Sequence, residues 1–326
     1  MPKVLIGPVV LAGIQAEFVD VLKGAGFELV YHGRPAQLVE HELIEALAGC
    51  QAALAGSEPY TARVIAAHPQ LRVIARAGVG WDAVDTAAAT QAGVAVTITP
   101  GTNQGSVAEH TFSLMLALVK HLIPQHLGVK SGGWPRGTNI PLRTRTLGLA
   151  GLGRIGKAVA TRALAFEMKV IAHDPFPDTA WAAAHNIPLV SMEELLRQSD
   201  FVSLHMPAIP ETANLINART LAMMKPTAFL INTSRGAVIN ENDLYEALKT
   251  KKIAGAGLDV FQEEPPGKLP MFDLDNVVLT PHAAGVDLRS RDDMARSAAE
   301  AIASLSRGEW PAEKVCNPQI RDRFRW

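Results

Sequence analysis

With 326 residues, 48% apolar and 19% charged, the chain exceeds the comfortable size of one open-sheet domain; this points to two compact domains and excludes a disordered polymer. A formal net charge of −1 argues against a broadly basic nucleic-acid-binding protein, whereas an anionic small molecule needs only one or two local cations. The two cysteines, Cys50 and Cys316, show neither CxxC pairing nor metal-ligand spacing, so neither a metal nor a disulfide framework is expected.

Near the N-terminus, Gly7-Pro8 would break a helical signal core, so Val4 to Ile6 reads as a first strand and a cytoplasmic location is expected. Candidate strands follow at Lys3–Ile6, Phe27–Tyr31, Ala52–Leu54, Arg72–Ala75 and Val94–Ile98, separated by amphipathic Ala/Leu segments. Parallel strands need crossovers and helices supply them, so this alternation predicts a small doubly wound domain. Turn formers fill Thr99 to Gly105, and Ser106-Val107-Ala108-Glu109 has capping-box spacing, which predicts a helix to about Leu122. The apolar stretch Thr111–Val119 is shorter than the roughly 20 residues of a membrane span, so no membrane is expected.

A second alternation places strands at Thr146–Ala150, Lys169–His173, Phe201–His205, Ala228–Asn232, Gly255–Val260 and Val277–Leu279, the pattern of a dinucleotide-binding sheet. The amphipathic segment Arg289–Ser306 follows the last strand and is expected to cross back to the first domain. The predicted architecture is α/β, with two doubly wound parallel-sheet domains and a cleft between them. A flavodoxin-like domain takes residues 1–99 and 289–326, and a Rossmann dinucleotide-binding domain takes residues 100–288.

Gly151, Gly153 and Gly156 form G-x-G-x-x-G after an apolar strand and before a helical stretch, the context that motif requires. The first Gly permits the turn, the second admits a pyrophosphate, and the third lets helix and strand pack. Free N–H groups at the helix start would face the phosphates. Asp174 ends the next strand, where a carboxylate accepts from ribose hydroxyls and repels a 2′-phosphate, so NAD is expected over NADP.

Ligands of open α/β sheets bind at the carboxyl ends of the strands. Three predicted strands there run into Arg235, Glu264 and His282. Hydride exchange with a 2-keto acid uses these types: a guanidinium for the carboxylate, an imidazole for the carbonyl proton, and a carboxylate to orient the imidazole.

The sequence resembles the D-isomer-specific 2-hydroxyacid dehydrogenase family, whose members include phosphoglycerate dehydrogenases. The resemblance runs from Val73-Ile74-Ala75-Arg76-Ala77-Gly78-Val79-Gly80 through Ser106–Glu109, the glycine fingerprint, Asn232–Gly236 and Asp259-Val260-Phe261 to Thr280-Pro281-His282. It implies an NAD-dependent dehydrogenase of 3-phosphoglycerate or a hydroxypyruvate- or glyoxylate-like acid. By this resemblance Arg235 binds substrate, His282 is the acid/base, and Glu264, directly before proline, pairs with it in preference to Glu263. It likewise assigns the cofactor to Gly151, Gly153, Arg154, Ile155, Gly156, Asp174, Met206, Thr233 and Asp259. Gly78, Val79 and Gly80 would offer N–H groups to the substrate carboxylate, a nest that also makes physical sense.

Arg76 and Arg136 match positions that recognise phosphate in phosphoglycerate dehydrogenases, whereas Gly56 stands where some of those enzymes place a further Arg. Trp81 replaces the usual small aliphatic residue and reads as a core residue or as one that narrows the pocket. The helix from Ser106 suits a homodimer interface, although an interdomain helix gives the same pattern. The alternatives are a nucleotide-sensing corepressor-like protein on the same fold, and formate or phosphite oxidation.

Overall fold

The computed structural model describes all 326 residues, Met1–Trp326. In chain order the elements are β1 (Lys3–Ile6), α1 (Glu17–Gly24), β2 (Glu28–Tyr31), α2 (Glu40–Ala46), β3 (Ala52–Ala55), α3 (Ala62–Ala66), β4 (Val73–Arg76), α4 (Thr86–Ala92) and β5 (Ala95–Thr97). Then come α5 (Gln104–Val119), α6 (Leu122–Lys130), β6 (Thr146–Ala150), α7 (Arg154–Ala165), β7 (Lys169–His173), α8 (Thr179–Ala184) and α9 (Met192–Gln198). The chain continues with β8 (Phe201–Leu204), α10 (Ala218–Leu221), β9 (Phe229–Asn232), α11 (Glu241–Lys249), β10 (Gly255–Leu258), β11 (Val277–Leu279) and α12 (Leu288–Ser306).

The chain forms two compact units, Met1–Asn103 with Asp287–Trp326, and Gln104–Val286. These borders lie a few residues from the expected ones because α5 already begins at Gln104, and because Asp287 caps α12 by accepting from the Ser290 N–H.

The first unit holds a parallel sheet in the order β2-β1-β3-β4-β5. Its central strands read as continuous apolar runs because helices cover both faces. On one face Val4, Ile6, Leu54, Val73 and Ala75 pack against Phe18 and Leu22 of α1 and Ala298, Ala299 and Ile302 of α12. Leu5, Ala53, Ile74 and Val96 face the other way, onto Leu43, Leu47, Val64 and Ala89. Small residues let α12 lie close to the sheet, and truncating Ile302 to Ala is expected to cost about 2–5 kcal/mol.

The second unit has the parallel order β11-β10-β9-β8-β6-β7. A single bridge from Leu189 to Ala172 extends the sheet beyond β7. With that bridge as a vestigial third strand, the order is the dinucleotide-binding one, and the strand order reverses between β6 and β8. One face packs on α5 and α7 through Phe112, Met115, Leu118, Val159 and Ala163, and the other on α9, α10 and α11 through Leu195, Leu221, Leu244 and Leu248.

Two details of the helix after Thr99 differ from expectation. Ser106 is not a cap but lies within α5, where its hydroxyl donates to Ala284 O at 2.8 Å. The helix stops at Val119, and after His121, which has a φ of 48°, the chain restarts as α6 at a 61° bend. Most of α5 is buried in its own unit, whereas α6 buries none of its residues. No single helix is long and apolar enough to cross a membrane.

Candidate active site

The turn leaving β6 is shaped by backbone proximity. Gly151 has a φ of 104°, and a side chain there would overlap the His205 carbonyl at the end of β8. A Cβ on Gly156 would strike the Gly151 carbonyl, so only glycine lets α7 seat against the strand end. Gly153 is the N-cap and faces open space, followed by exposed Arg154 and half-buried Ile155. The first N–H groups of α7 have no intrahelical acceptors and carry the positive end of the helix dipole, which suits a pyrophosphate.

Asp174, just after β7, accepts from the Leu152 N–H through Oδ2 at 2.7 Å and from the Phe176 N–H through Oδ1 at 2.8 Å. It therefore holds the glycine turn to the neighbouring strand end. Met206 follows β8 and is half-buried. Beside it, His205 pairs Nε2 with the Ser203 hydroxyl at 2.9 Å but leaves Nδ1 buried without a partner, and burial pushes its pKa down to about 4.

The loops after β9, β10 and β11 carry the side chains expected to form the catalytic set. Asn232 ends β9 and ties its own loop: Oδ1 accepts from the Ser234 N–H (3.0 Å) and hydroxyl (2.8 Å), and Nδ2 donates to Arg235 O at 2.9 Å. Thr233 is buried against Thr111, with their hydroxyls 3.1 Å apart. Arg235 is half-buried and donates from Nη1 to Ser234 O at 2.6 Å. The next residue, Gly236, lies so close to Phe261 that a Cβ would overlap its backbone, which locks the loop after β9 to the loop after β10.

Phe261 then donates its N–H to Glu264 Oε1 at 3.0 Å, and Glu264 Oε2 lies 2.6 Å from His282 Nδ1. The neighbouring Glu263 is exposed. Partial burial pulls the Glu264 carboxyl upward, but the His282 hydrogen bond and charge, the Phe261 N–H and the Arg235 charge together hold it below the usual carboxylate range. An ionised carboxylate only accepts, so Nδ1 of His282 carries the hydrogen and Nε2 is left for a ligand.

His282 sits at a φ of 52°, in the left-handed region, and its turn needs outside support. Buried Asp259 supplies it. Oδ1 accepts from the Thr280 hydroxyl at 2.6 Å and the Ala283 N–H at 2.9 Å, Oδ2 accepts from the Ala284 N–H at 2.9 Å, and Asp259 O accepts from the His282 N–H at 2.8 Å. His110, on α5, lies 2.9 Å from Thr280 Oγ1 and 3.5 Å from Asp259 Oδ1. Sequence reasoning missed both Asn232 and His110 as members of this network. An Asn before Thr-Ser-Arg signals a side-chain turn, but nothing local links His110 to a residue 170 positions away.

In the first unit, the Gly78 N–H is taken by Thr99 Oγ1 at 3.0 Å, so the expected three-residue nest loses its Gly78 donor. Arg76 donates from Nε to Gly80 O at 2.9 Å and so braces that loop from within. Trp81 is 43% exposed, which overturns the core reading. Arg136 is exposed on the loop after α6, in the second unit.

The family model described as D-isomer specific 2-hydroxyacid dehydrogenase, NAD binding domain, matches residues 112–284. A D-3-phosphoglycerate dehydrogenase of Synechocystis sp. is 38% identical, the match covering 100% of this chain and 58% of that protein. A glyoxylate reductase of Korarchaeum cryptofilum is 39% identical over 86% of this chain and 87% of its own length. The chain thus spans little more than half of the phosphoglycerate dehydrogenase. Among solved structures, the TT0316 protein from Thermus thermophilus superposes with a TM-score of 0.86 at 36% identity, covering 96% of this chain and 99% of the other.

Proposed function

Since the chain belongs to the D-isomer-specific 2-hydroxyacid dehydrogenase family, we propose that it moves a hydride between NAD(H) and a small D-2-hydroxy or 2-keto acid, with Arg235, Glu264 and His282 as its catalytic set. The observation that carries this reading is the 2.6 Å contact between His282 Nδ1 and Glu264, from loops fixed to each other and to Arg235.

The Arg235 guanidinium binds the substrate carboxylate and polarises the carbonyl. His282 gives its Nε2 proton to the carbonyl oxygen during reduction and takes it back during oxidation. Glu264 accepts from Nδ1 throughout and stabilises the imidazolium without taking up a proton. When bound, NAD(H) would supply the hydride chemistry at C2 of the acid.

For the cofactor, Gly151, Gly153, Arg154, Ile155 and Gly156 would hold the pyrophosphate, and Asp174 the adenosine ribose. Met206, Thr233 and Asp259 would line the path to the nicotinamide. The carboxylate of Asp174 disfavours a 2′-phosphate, which supports NAD over NADP. Val79 and Gly80 would add amides for the substrate carboxylate. A homodimer is part of the proposal, through the exposed Leu122, Ile123, Leu127, Val129 and Trp134 on and after α6, not through the largely buried α5. Free thiols at Cys50 and Cys316 suit the cytoplasm.

The test is NADH and NADPH consumption with hydroxypyruvate, glyoxylate, pyruvate and phosphohydroxypyruvate. Turnover with NADH is expected. Folded, NADH-binding protein that consumes neither cofactor with any keto acid would refute the proposal and favour a nucleotide-sensing role.

A further inference from the structure

In the first unit the strand order reverses between β1 and β3, the position at which sheets of this order bind ligands beyond their carboxyl ends. That position is occupied by a side chain of the protein itself. The carboxyl group of Glu58, which is 1% exposed, lies between Gly7 at the end of β1 and Gly56 at the end of β3. A Cβ on Gly56 would come within 2.7 Å of Glu58 Oε1, and one on Gly7 within 3.0 Å of the carboxyl carbon. The Gly56 N–H donates to Glu58 Oε2 at 2.6 Å. A side chain at position 56 would have to displace this carboxyl.

The groups acting on Glu58 at this edge are the Arg76 guanidinium and, more weakly, His32, whose Nε2 lies 3.0 Å from Gly7 O. Arg76 directs its Nε to Gly80 O at 2.9 Å, and an Nη2 atom packs 3.3 Å from where a Gly78 Cβ would stand. Burial raises the Glu58 carboxyl above the usual range, while its own N–H, Arg76, the Gly56 N–H and His32 all favour the ionised form. A phosphate brought to Arg76 would meet a compensated cation beside a buried carboxylate, and like charge in a site of low dielectric is strongly unfavourable.

We infer that Glu58 is a specificity-determining residue: by occupying the switch point of the first sheet and compensating Arg76, it restricts the enzyme to 2-keto acids without a phosphate or second anionic group. This rests on the function proposed above and selects within it, in favour of glyoxylate- or hydroxypyruvate-like acids and against phosphohydroxypyruvate.

The test compares kcat/KM for hydroxypyruvate, glyoxylate and phosphohydroxypyruvate, each with NADH, in the wild type and in Glu58→Gln, which keeps the shape and removes the charge. The wild type is expected to favour hydroxypyruvate over its phosphorylated form by about tenfold or more, mainly through KM. Glu58→Gln is expected to narrow that ratio about tenfold and to make inorganic phosphate a competitive inhibitor. The inference falls if the wild type prefers phosphohydroxypyruvate, a result that needs no variant, or if Glu58→Gln alters all substrates equally, the mark of a merely structural residue. Absence of turnover with every keto acid would instead remove the functional proposal and this inference with it.

Discussion

The carboxyl edges of the two sheets are built alike and handle charge in opposite ways. After β9, β10 and β11, the loops present Arg235, Glu264 and His282 half-buried to half-exposed, with a nitrogen of His282 left for a ligand. At the ends of β1, β3 and β4, the acid Glu58 is sunk to 1% exposure between two glycines, and the cation Arg76 braces a loop. A strand end marks where a ligand comes; whether charge there is displayed or compensated decides what the ligand meets.

The largest effect is expected at His282. Replacement by Asn is expected to lower kcat by about 10²–10⁴ while NADH binding, followed by fluorescence, stays near wild type. Unchanged turnover would show that the displayed edge is not the reacting one. Next in size is Gly236→Ala, whose methyl has no room against Phe261. A loss of at least about 1–3 kcal/mol in chemical denaturation is expected, together with reduced activity. Stability equal to wild type would mean that the two loops are not locked.

Asp174→Ser tests a third strand end. It should raise the NADPH-to-NADH ratio of kcat/KM by about tenfold, and an unmoved ratio would leave Asp174 as only a tether for Leu152.

The smallest effect separates the two acids by sign. The Glu264 carboxyl is depressed, so its contribution to stability is present above its unfolded value, near 4.5, and is lost as pH falls through the lower folded value. Glu58 is raised, so its ionised form costs stability at neutral pH, and that cost is relieved as pH falls through its folded value toward about 4.5. Relative to Glu264→Gln and Glu58→Gln, the wild-type melting temperature should therefore drift in opposite directions on acidification. Because Glu264 is about a third exposed, its part should be only about a few tenths of a kcal/mol. Parallel drifts would contradict the contrast.

The strands were legible to within two residues because buried parallel strands leave short, unbroken β-branched and apolar runs between turn formers. The glycine turn was legible because its strand, glycines and helix are contiguous in the sequence, although what forbids a side chain on Gly151 is the distant His205 carbonyl. The bond from Glu264 to His282 joins loops 18 residues apart at strand ends, which the alternation already places on one edge. What stayed hidden depends on tertiary proximity. Ser106 satisfies the capping spacing, yet the helix begins earlier and spends that hydroxyl on Ala284. The Leu189 strand is reduced to one bridge and leaves no run to read. Glu58 in Ser-Glu-Pro-Tyr looks like an ordinary turn residue, and only the meeting of Gly7 with Gly56 reveals where its carboxyl goes.

The close approach of Gly236 to Phe261 has a consequence for how this protein can change over generations. Two reacting arms without a hinge between them cannot drift separately, so a library of random variants selected for a new keto acid should return few accepted changes in the loops at 232–236 and 259–264. Its successes should gather around Gly56, Glu58 and Trp81, where a new side chain leaves the loops at 232–236 and 259–264 untouched.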